Sequence, residues 1–294
     1  MRMTKTARRE ALWGYAMVAP LLIGLAIFFY LGLGASLYLS FTEWDVLTAP
    51  KWVGLDNFRR FWETPLYLKT LWNTLRFALM LVPLGMLASL GMALALNQNI
   101  RLRGFYRVLF FLPVLTMPVA IAVVWKWIYA PDFGLLNGAL ALFGGPRVKW
   151  LGDPAIAMPA LVLMSIWMGS GYGMVIYLAG LQNISRSYYE AAQVDGASGW
   201  QQFTNITLPL LTPTIFFSLV TSTISAFQVF DIVYVMTKGG PMDSTRTLVY
   251  TIYDDGFRFF RMGMASATAW VLFAIILAIT VVQLWGQRRW VHYD

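Results

Sequence analysis

The side chains able to carry chemistry in this sequence are few, and most are hydroxyls. There is one histidine, His292, and no cysteine. Disulfides, thiolate chemistry, a histidine-rich metal site and Ser-His-Asp or Cys-His arrangements are excluded together. No G-x-x-x-x-G-K-[ST] string occurs, so the chain lacks a phosphate-cradling loop for ATP. Asp254 and Asp255 are adjacent carboxylates on a loop, and such neighbours are expected to be solvated rather than catalytic. No catalytic, metal-ligating or cofactor-binding residue is assigned. Two patterns remain. One is YYEAAQVDGASGWQQFTNITLPLLTP, residues 188–213, a polar stretch with two carboxylates and many small residues. The other joins hydroxyls and aromatics: Trp167, Ser170, Tyr172 and Tyr177, then Ser218, Ser222, Ser225 and Gln228 at steps of three and four. Rings can stack on the C–H faces of a sugar while hydroxyls exchange hydrogen bonds with it. Ser and Gly also serve helix–helix packing in membranes, so both readings stand, with Gly169, Gly171 and Gly173 closer to packing.

The elements around these patterns are apolar. The 294 residues are 59% hydrophobic and 12% charged, with a mean hydropathy of +0.61. A soluble domain carries about 25% charged residues, so this composition indicates an integral membrane protein. Six stretches are long enough to span: 15–40, 75–96, 108–128, 155–178, 208–236 and 265–285. Backbone groups must be satisfied inside lipid, so these are expected to be helices. The first continues too far for a signal peptide and is expected to be retained. Trp13, Trp125, Trp127, Trp270, Trp285 and Trp290 sit near span ends as an interfacial belt. Lys126 and Asp231 lie near outer ends, where snorkelling is expected.

Arg2, Lys5, Arg8 and Arg9 precede the first span, Arg101, Arg103 and Arg107 lie in the second connection, and Arg288 and Arg289 follow the last span. The positive-inside rule places both termini in the cytoplasm and the connections 43–70, 129–154 and 237–263 outside. The net charge of +8 fits contact with anionic lipid headgroups, and no basic aromatic face suggests nucleic acid. The chain divides into a tail, first span and outer loop (1–68), a five-helix core (69–287) that includes a loop at 187–213, and a short tail (288–294).

Within that loop, Ser187 and Glu190 have the spacing of a capping box. The helix they would open runs past Ala191, Ala192 and Val194 and stops at Asp195-Gly196, where glycine supplies a left-handed residue. Ser198 and Gln201 form a second box, and Trp200, Phe203 and Ile206 make one apolar face. Pro209 and Pro213 then bend the chain into the fifth span. Two roles fit the small residues: packing this loop on its own bundle, or close approach of another protein.

The string EAAQVDGASGWQQFTNITLPLLTP resembles the EAA signature of permease subunits of bacterial ABC importers. Glu190, Ala191, Ala192, Asp195, Gly196, Ala197, Phe203, Ile206, Leu208, Pro209 and Pro213 fill its pattern. NTLRFAL, RGFYRVLFFLPVLTMPVAIAVVWKWIYAPDFGLLN and AFQVFDIVYVMTKGGPMDSTRTLVYTIYDDGF are similar to the carbohydrate branch, that of maltose and glycerol-3-phosphate permeases. The large periplasmic insertion and extra N-terminal spans of the maltose-type larger subunit are absent, so the chain resembles the shorter six-span subunit. The resemblance implies an all-α integral membrane protein of six transmembrane helices, with a MetI-like ABC permease fold. Its coupling helix would dock on a cytoplasmic ATPase subunit through Glu190, Ala191, Ala192, Asp195, Gly196, Ala197, Phe203 and Pro209. It further implies a second homologous permease subunit, an ABC ATPase dimer holding ATP and Mg, an extracytoplasmic solute-binding protein, and the cytoplasmic (inner) membrane of a bacterium. The imported solute would be a sugar, an oligosaccharide or glycerol 3-phosphate, passing Trp167, Ser170, Tyr172, Tyr177, Ser218, Ser222, Ser225 and Gln228. Family members often carry asparagines on the fifth span, and this chain has none there. Two alternatives remain: a secondary transporter driven by an ion gradient, or a membrane scaffold that binds a partner through 187–206 and moves nothing.

Overall fold

The structure, a computed structural model, describes residues 4–291, so Arg2 and His292 lie outside it. Helix α1 (Lys5–Gly24) passes through a π-helical stretch, Leu25–Tyr30, into α2 (Leu31–Ser40). Two residues each of β1 (Thr42–Glu43) and β2 (Lys51–Trp52) pair antiparallel, with Thr42 opposite Trp52. Helix α3 follows (Asp56–Glu63), then α4 (Pro65–Asn97), which opens on a proline whose missing N–H would be unbonded there anyway. Next come α5 (Arg103–Phe111), α6 (Pro118–Ile128), α7 (Leu135–Leu142) and α8 (Ala157–Asn183). The polar loop holds α9 (Arg186–Val194), α10 (Gly199–Gln202), a π-helical turn (Phe203–Thr207) and α11 (Leu208–Leu210). Helices α12 (Thr212–Phe227), α13 (Leu248–Tyr253) and α14 (Met262–Gly286) complete the order.

Among the described residues, four helices are long and apolar enough to cross a membrane: Arg8–Ser40, Pro65–Asn97, Ala157–Asn183 and Met262–Arg289. Two expected spans are bent instead. The run expected at 108–128 is two helical pieces, Arg103–Leu115 and Pro118–Ile128, at 100° to each other. Pro118 cannot continue a helix, and the residue before a proline is driven out of the α region; Met117 accordingly takes ψ 127°. The run expected at 208–236 is broken into pieces: Gly199–Leu210 meets α12 (Thr212–Phe227) at 61°, and after Phe227 the helix stops and resumes only as a π-helical turn at Val233–Thr237. Gln228 caps α12, and the Val229 carbonyl accepts from the Thr247 hydroxyl at 3.2 Å. Counting each bent pair as one span gives six.

The chain divides into two compact units. The first comprises Met1–Glu63 with Ile252–Val271. Here the buried Asn57 amide donates to the carbonyls of Ser40 (2.9 Å) and Thr42 (2.8 Å), and the Met262 N–H donates to the Trp44 carbonyl at 3.0 Å. A Cβ on Gly263 would collide with the Thr42 carbonyl oxygen, so only glycine fits. None of the most apolar stretch of α1 and α2 is buried. Asp254 and Asp255 are not solvated as expected: both are buried. They belong to a π-helical turn, Asp254–Arg258, that extends α13, and this places Arg258 one turn on, its Nη1 2.9 Å from Asp254 Oδ1. A buried carboxylate needs such a partner, and the pair is structural.

The second unit comprises Thr64–Thr251 with Leu272–Asp294. Its centre is the packing of α8 on α4, with Ala93 and Leu96 meeting Met174, Tyr177, Leu178 and Leu181, and Leu211 closing the cluster. At a rise of 1.5 Å per residue, α8 is about 40 Å long, enough to span with tilt. Glycines set the approach. A Cβ on Gly171 would run into the Phe110 carbonyl of α5, one on Gly173 would lie 2.5 Å from Ser89 Oγ of α4, and one on Gly180 would lie 2.6 Å from Thr214 Oγ1 of α12. Gly169 has open space. Loop 238–247 is also held by α4. Lys69 Nζ donates to the Met242 carbonyl, Asn73 Nδ2 to those of Asp243 and Arg246, and Thr74 Oγ1 accepts from the Leu248 N–H.

Gly171→Ala is expected to lower the thermal midpoint in detergent by roughly 3–10 °C, from overpacking of about 1–3 kcal/mol. Gly169→Ala should leave the midpoint unchanged or raise it slightly. Equal midpoints for the two variants would show that the α8–α5 contact is not tight.

Candidate functional site

The polar loop folds as a compact elbow. Helix α9 starts two residues earlier than a Ser187–Glu190 box requires. Ser185 is the N-cap, its Oγ accepting from the Ser187 N–H, and Ser187 is already inside the helix. Glu190 is thereby released from capping and lies exposed, with no hydrogen-bond partner among the described residues. The helix ends as expected. Gly196 takes φ +77°, and the Ala197 N–H returns to the Ala192 carbonyl at 2.8 Å. The second box forms: Ser198 N–H donates to Gln201 Oε1 at 2.7 Å, and Gln201 N–H donates to Ser198 Oγ at 3.4 Å. Gln202 Nε2 donates back to the Ala197 carbonyl, and the Tyr189 and Thr207 hydroxyls bond at 2.9 Å, tying α9 to the π-helical turn.

The elbow is two-sided. Glu190, Ala191, Asp195 and Gly196 are exposed, whereas Ala192, Ala197, Phe203 and Pro209 are half-buried. Val194 (88% exposed) and Trp200 (72%) also stand on the bare side. The expected Trp200–Phe203–Ile206 face is therefore split. The wider π turn rotates Phe203 and Ile206 inward and leaves Trp200 out, its ring 5.6 Å from that of Phe203. Val194 and Trp200 were missing from the residues expected to dock. The available signal was two large apolar side chains in an otherwise polar, solvated stretch. On its inner side the elbow faces the ends of α4 and α8 across a cavity of about 460 Å³ lined by Tyr189, Gln202, Phe203 and Thr207 with Leu94, Asn97, Gln98 and Leu181.

The hydroxyl pattern also converges. Ser165, Ser170, Tyr172 and Tyr177 of α8, Ser218, Thr221, Ser222 and Ser225 of α12, and Ser89 of α4 line one cavity of about 240 Å³. Among the described residues, no charged side chain lines it. Ser89, Ser165 and Thr221 return their hydroxyl protons to carbonyls one turn back, at 2.8, 2.7 and 2.9 Å. Ser218 Oγ is enclosed beside the Tyr177 ring and makes no hydrogen bond of good geometry. The others can exchange hydrogen bonds with a polyhydroxylated guest. Two expected members fall outside. Trp167 packs its ring on Trp125, 5.5 Å between centroids, and Gln228 is exposed as the cap beyond α12. Asp231 is exposed outside α12, and Lys126 is exposed on α6. The glycines divide: Gly171 and Gly173 pack helices, while Gly169 borders the cavity.

With this geometry in view, the comparisons with known proteins agree. Residues 82–292 match the model of the binding-protein-dependent transport system inner membrane component. A probable ABC transporter permease protein, YesP of Bacillus subtilis (strain 168), is 43% identical, covering 100% of this chain and 96% of its own. The sn-glycerol-3-phosphate transport system permease protein UgpA of Pectobacterium atrosepticum is 34% identical over the whole of both chains. Among solved structures, a bacterial ABC transporter involved in the import of the acidic polysaccharide alginate superposes with a TM-score of 0.86 at 27% identity, covering 97% of this chain and 98% of that one. A second structure of an alginate transporter, in complex with its alginate pentasaccharide-bound periplasmic protein, gives 0.85 at 26% identity, with 98% of each chain covered. The signature elbow, the helical core and these matches lead to one conclusion: the chain belongs to the family of inner membrane components of binding-protein-dependent transport systems, as a permease subunit of the ABC-importer type.

Proposed function

We propose that this chain is one of two permease subunits of an ATP-driven importer for a carbohydrate delivered by an extracytoplasmic binding protein. The observation that carries the reading is the bare side of the elbow, where Glu190, Asp195, Val194 and Trp200 stand exposed beside small residues and form no contact that their own fold needs. A carboxylate pair, two apolar anchors and a low-relief alanine surface suit docking on another protein. The partner would be a dimer of ATPase subunits holding ATP and Mg, with the elbow as its coupling helix. Both chain termini would lie in the cytoplasm.

The elbow connects directly to the cavity wall. Helix α10, the π turn and α11 run without a gap into α12 through the 61° bend. The Tyr189–Thr207 bond makes α9 move with them. A push on the bare side is therefore delivered to Ser218, Ser222 and Ser225 on α12. In the proposed cycle, ATP-driven closure of the ATPase dimer turns the cavity outward, the binding protein releases its sugar there, and the hydroxyls of α8 and α12 replace part of the sugar's hydration.

Gentle purification from native membranes is expected to yield this chain, a similar permease and two ATPase copies. Isolation of the chain alone, or as a homodimer without an ATPase, would count against the importer. Glu190→Lys and Gly196→Pro should leave insertion and abundance normal but reduce binding-protein-stimulated ATP hydrolysis by at least about tenfold, the loss of one good interface contact or of the turn itself. Normal stimulated hydrolysis in both would sink the coupling role. Ser222→Leu with Ser225→Leu should keep the ATPase bound while uptake of the solute co-purified with the binding protein falls by roughly tenfold or more. Unchanged uptake would remove this cavity from the path.

A further inference from the structure

A basic cluster lies at the start of α5, and neither of its arginines lines the hydroxyl cavity. Arg103 and Arg107 are one helical turn apart and both half-buried. With its amide oxygen turned towards them, Gln182 near the end of α8 accepts from Arg107 Nη2 at 3.0 Å and from Arg103 Nη2 at 3.1 Å. Two cations thus converge on one neutral acceptor, their nitrogens no more than about 6 Å apart, where like charges repel. Neither has a carboxylate within ion-pair distance among the described residues, and the Nε of each is enclosed with no acceptor. A guanidinium carries five N–H donors, so one amide oxygen leaves most of them unanswered. This arrangement needs an anion.

The same segment says what kind. Leu102, Phe105, Val108, Leu109 and Leu112 are all exposed, so apolar surface begins at the level of the arginines and continues along α5. An anion that carries apolar chains of its own would answer the guanidinium groups and cover this exposed apolar surface together. We infer that Arg103 and Arg107, held by Gln182, form a site for the phosphate of an anionic phospholipid headgroup, whose acyl chains lie along α5. A tetrahedral phosphate can offer one oxygen to each guanidinium across a gap of about 6 Å, and arginine forks match it geometrically. Because Gln182 sits three residues before the N-cap Ser185, a bound headgroup would also brace the junction of α8 and the elbow.

The test is lipid retention by the assembled importer. It is purified in mild detergent, placed in nanodiscs of phosphatidylcholine with a minor share of phosphatidylglycerol, re-extracted, and its retained lipids are counted by native mass spectrometry. Wild type is expected to retain about one phosphatidylglycerol per chain, and R103Q/R107Q roughly tenfold less, with phosphatidylcholine unchanged. The thermal midpoint in pure phosphatidylcholine should be the same for both. Equal phosphatidylglycerol retention would overturn the site. So would loss of both lipids together, or displacement of the lipid by millimolar inorganic phosphate, which would make free phosphate the ligand. Loss of the ATPase from R103Q/R107Q with lipid retained would reassign the arginines to a protein carboxylate. If that variant does not assemble, R103K/R107K keeps the charge without the fork and should retain several-fold less phosphatidylglycerol. Full retention there would mean a diffuse charge effect rather than a built site. None of these readouts depends on which solute is carried or on which face is cytoplasmic.

Discussion

Close contact between α8 and its neighbours is the constraint on which the core unit depends. Without water to drive apolar surfaces together, helices in a membrane associate through short-range packing, and small residues allow it. Gly171 lets the Phe110 carbonyl of α5 approach, Gly173 admits Ser89 of α4, and Gly180 admits Thr214 of α12. Three helices are thereby indexed against one. That indexing brings hydroxyls from α4, α8 and α12 to a common cavity and brings Gln182 to the arginines of α5. The same helix that keeps the bundle together thus positions the candidate guest site, the basic cluster and the start of the elbow.

The elbow shows how local hydrogen bonding frees a surface for others. Its local hydrogen bonding is self-sufficient: a serine cap, a glycine turn, a reciprocal box and a tyrosine–threonine bond satisfy the backbone ends. The exposed side chains of Glu190, Asp195 and Val194 take no part in it. Two large apolar residues, Val194 and Trp200, stand bare in this otherwise polar segment, as the proposed docking role would require.

Much of this was legible beforehand, for identifiable reasons. Spans show as long uncharged runs because lipid forbids unsatisfied backbone. The Gly196 stop and the Ser198–Gln201 box are local chemistry and appear where spacing puts them. What escaped was whatever depends on partners distant in sequence or on helix type. The capping serine is Ser185 rather than Ser187, because two serines two positions apart offer competing caps. The π turn at Phe203–Thr207 has no spacing signal, so the face assigned to Trp200 was wrong. The break after Phe227 depends on Thr247, twenty residues on, and the burial of Asp254 and Asp255 on how α13 extends. Pro209 and Pro213 announced the bend into α12, whereas the 100° break at Pro118, inside a run read as one span, was not expected.

The absence of any charged side chain from the cavity wall has an electrical consequence. A group of unit charge carried across the membrane potential exchanges about 2.3 kcal/mol with it per 100 mV. Hydroxyls carry dipoles but no net charge. In the proposed cycle, switching of this wall between inward and outward positions would move no charged side chain of its own. A neutral guest would cross such a path without discharging the membrane that the cell uses to make its ATP.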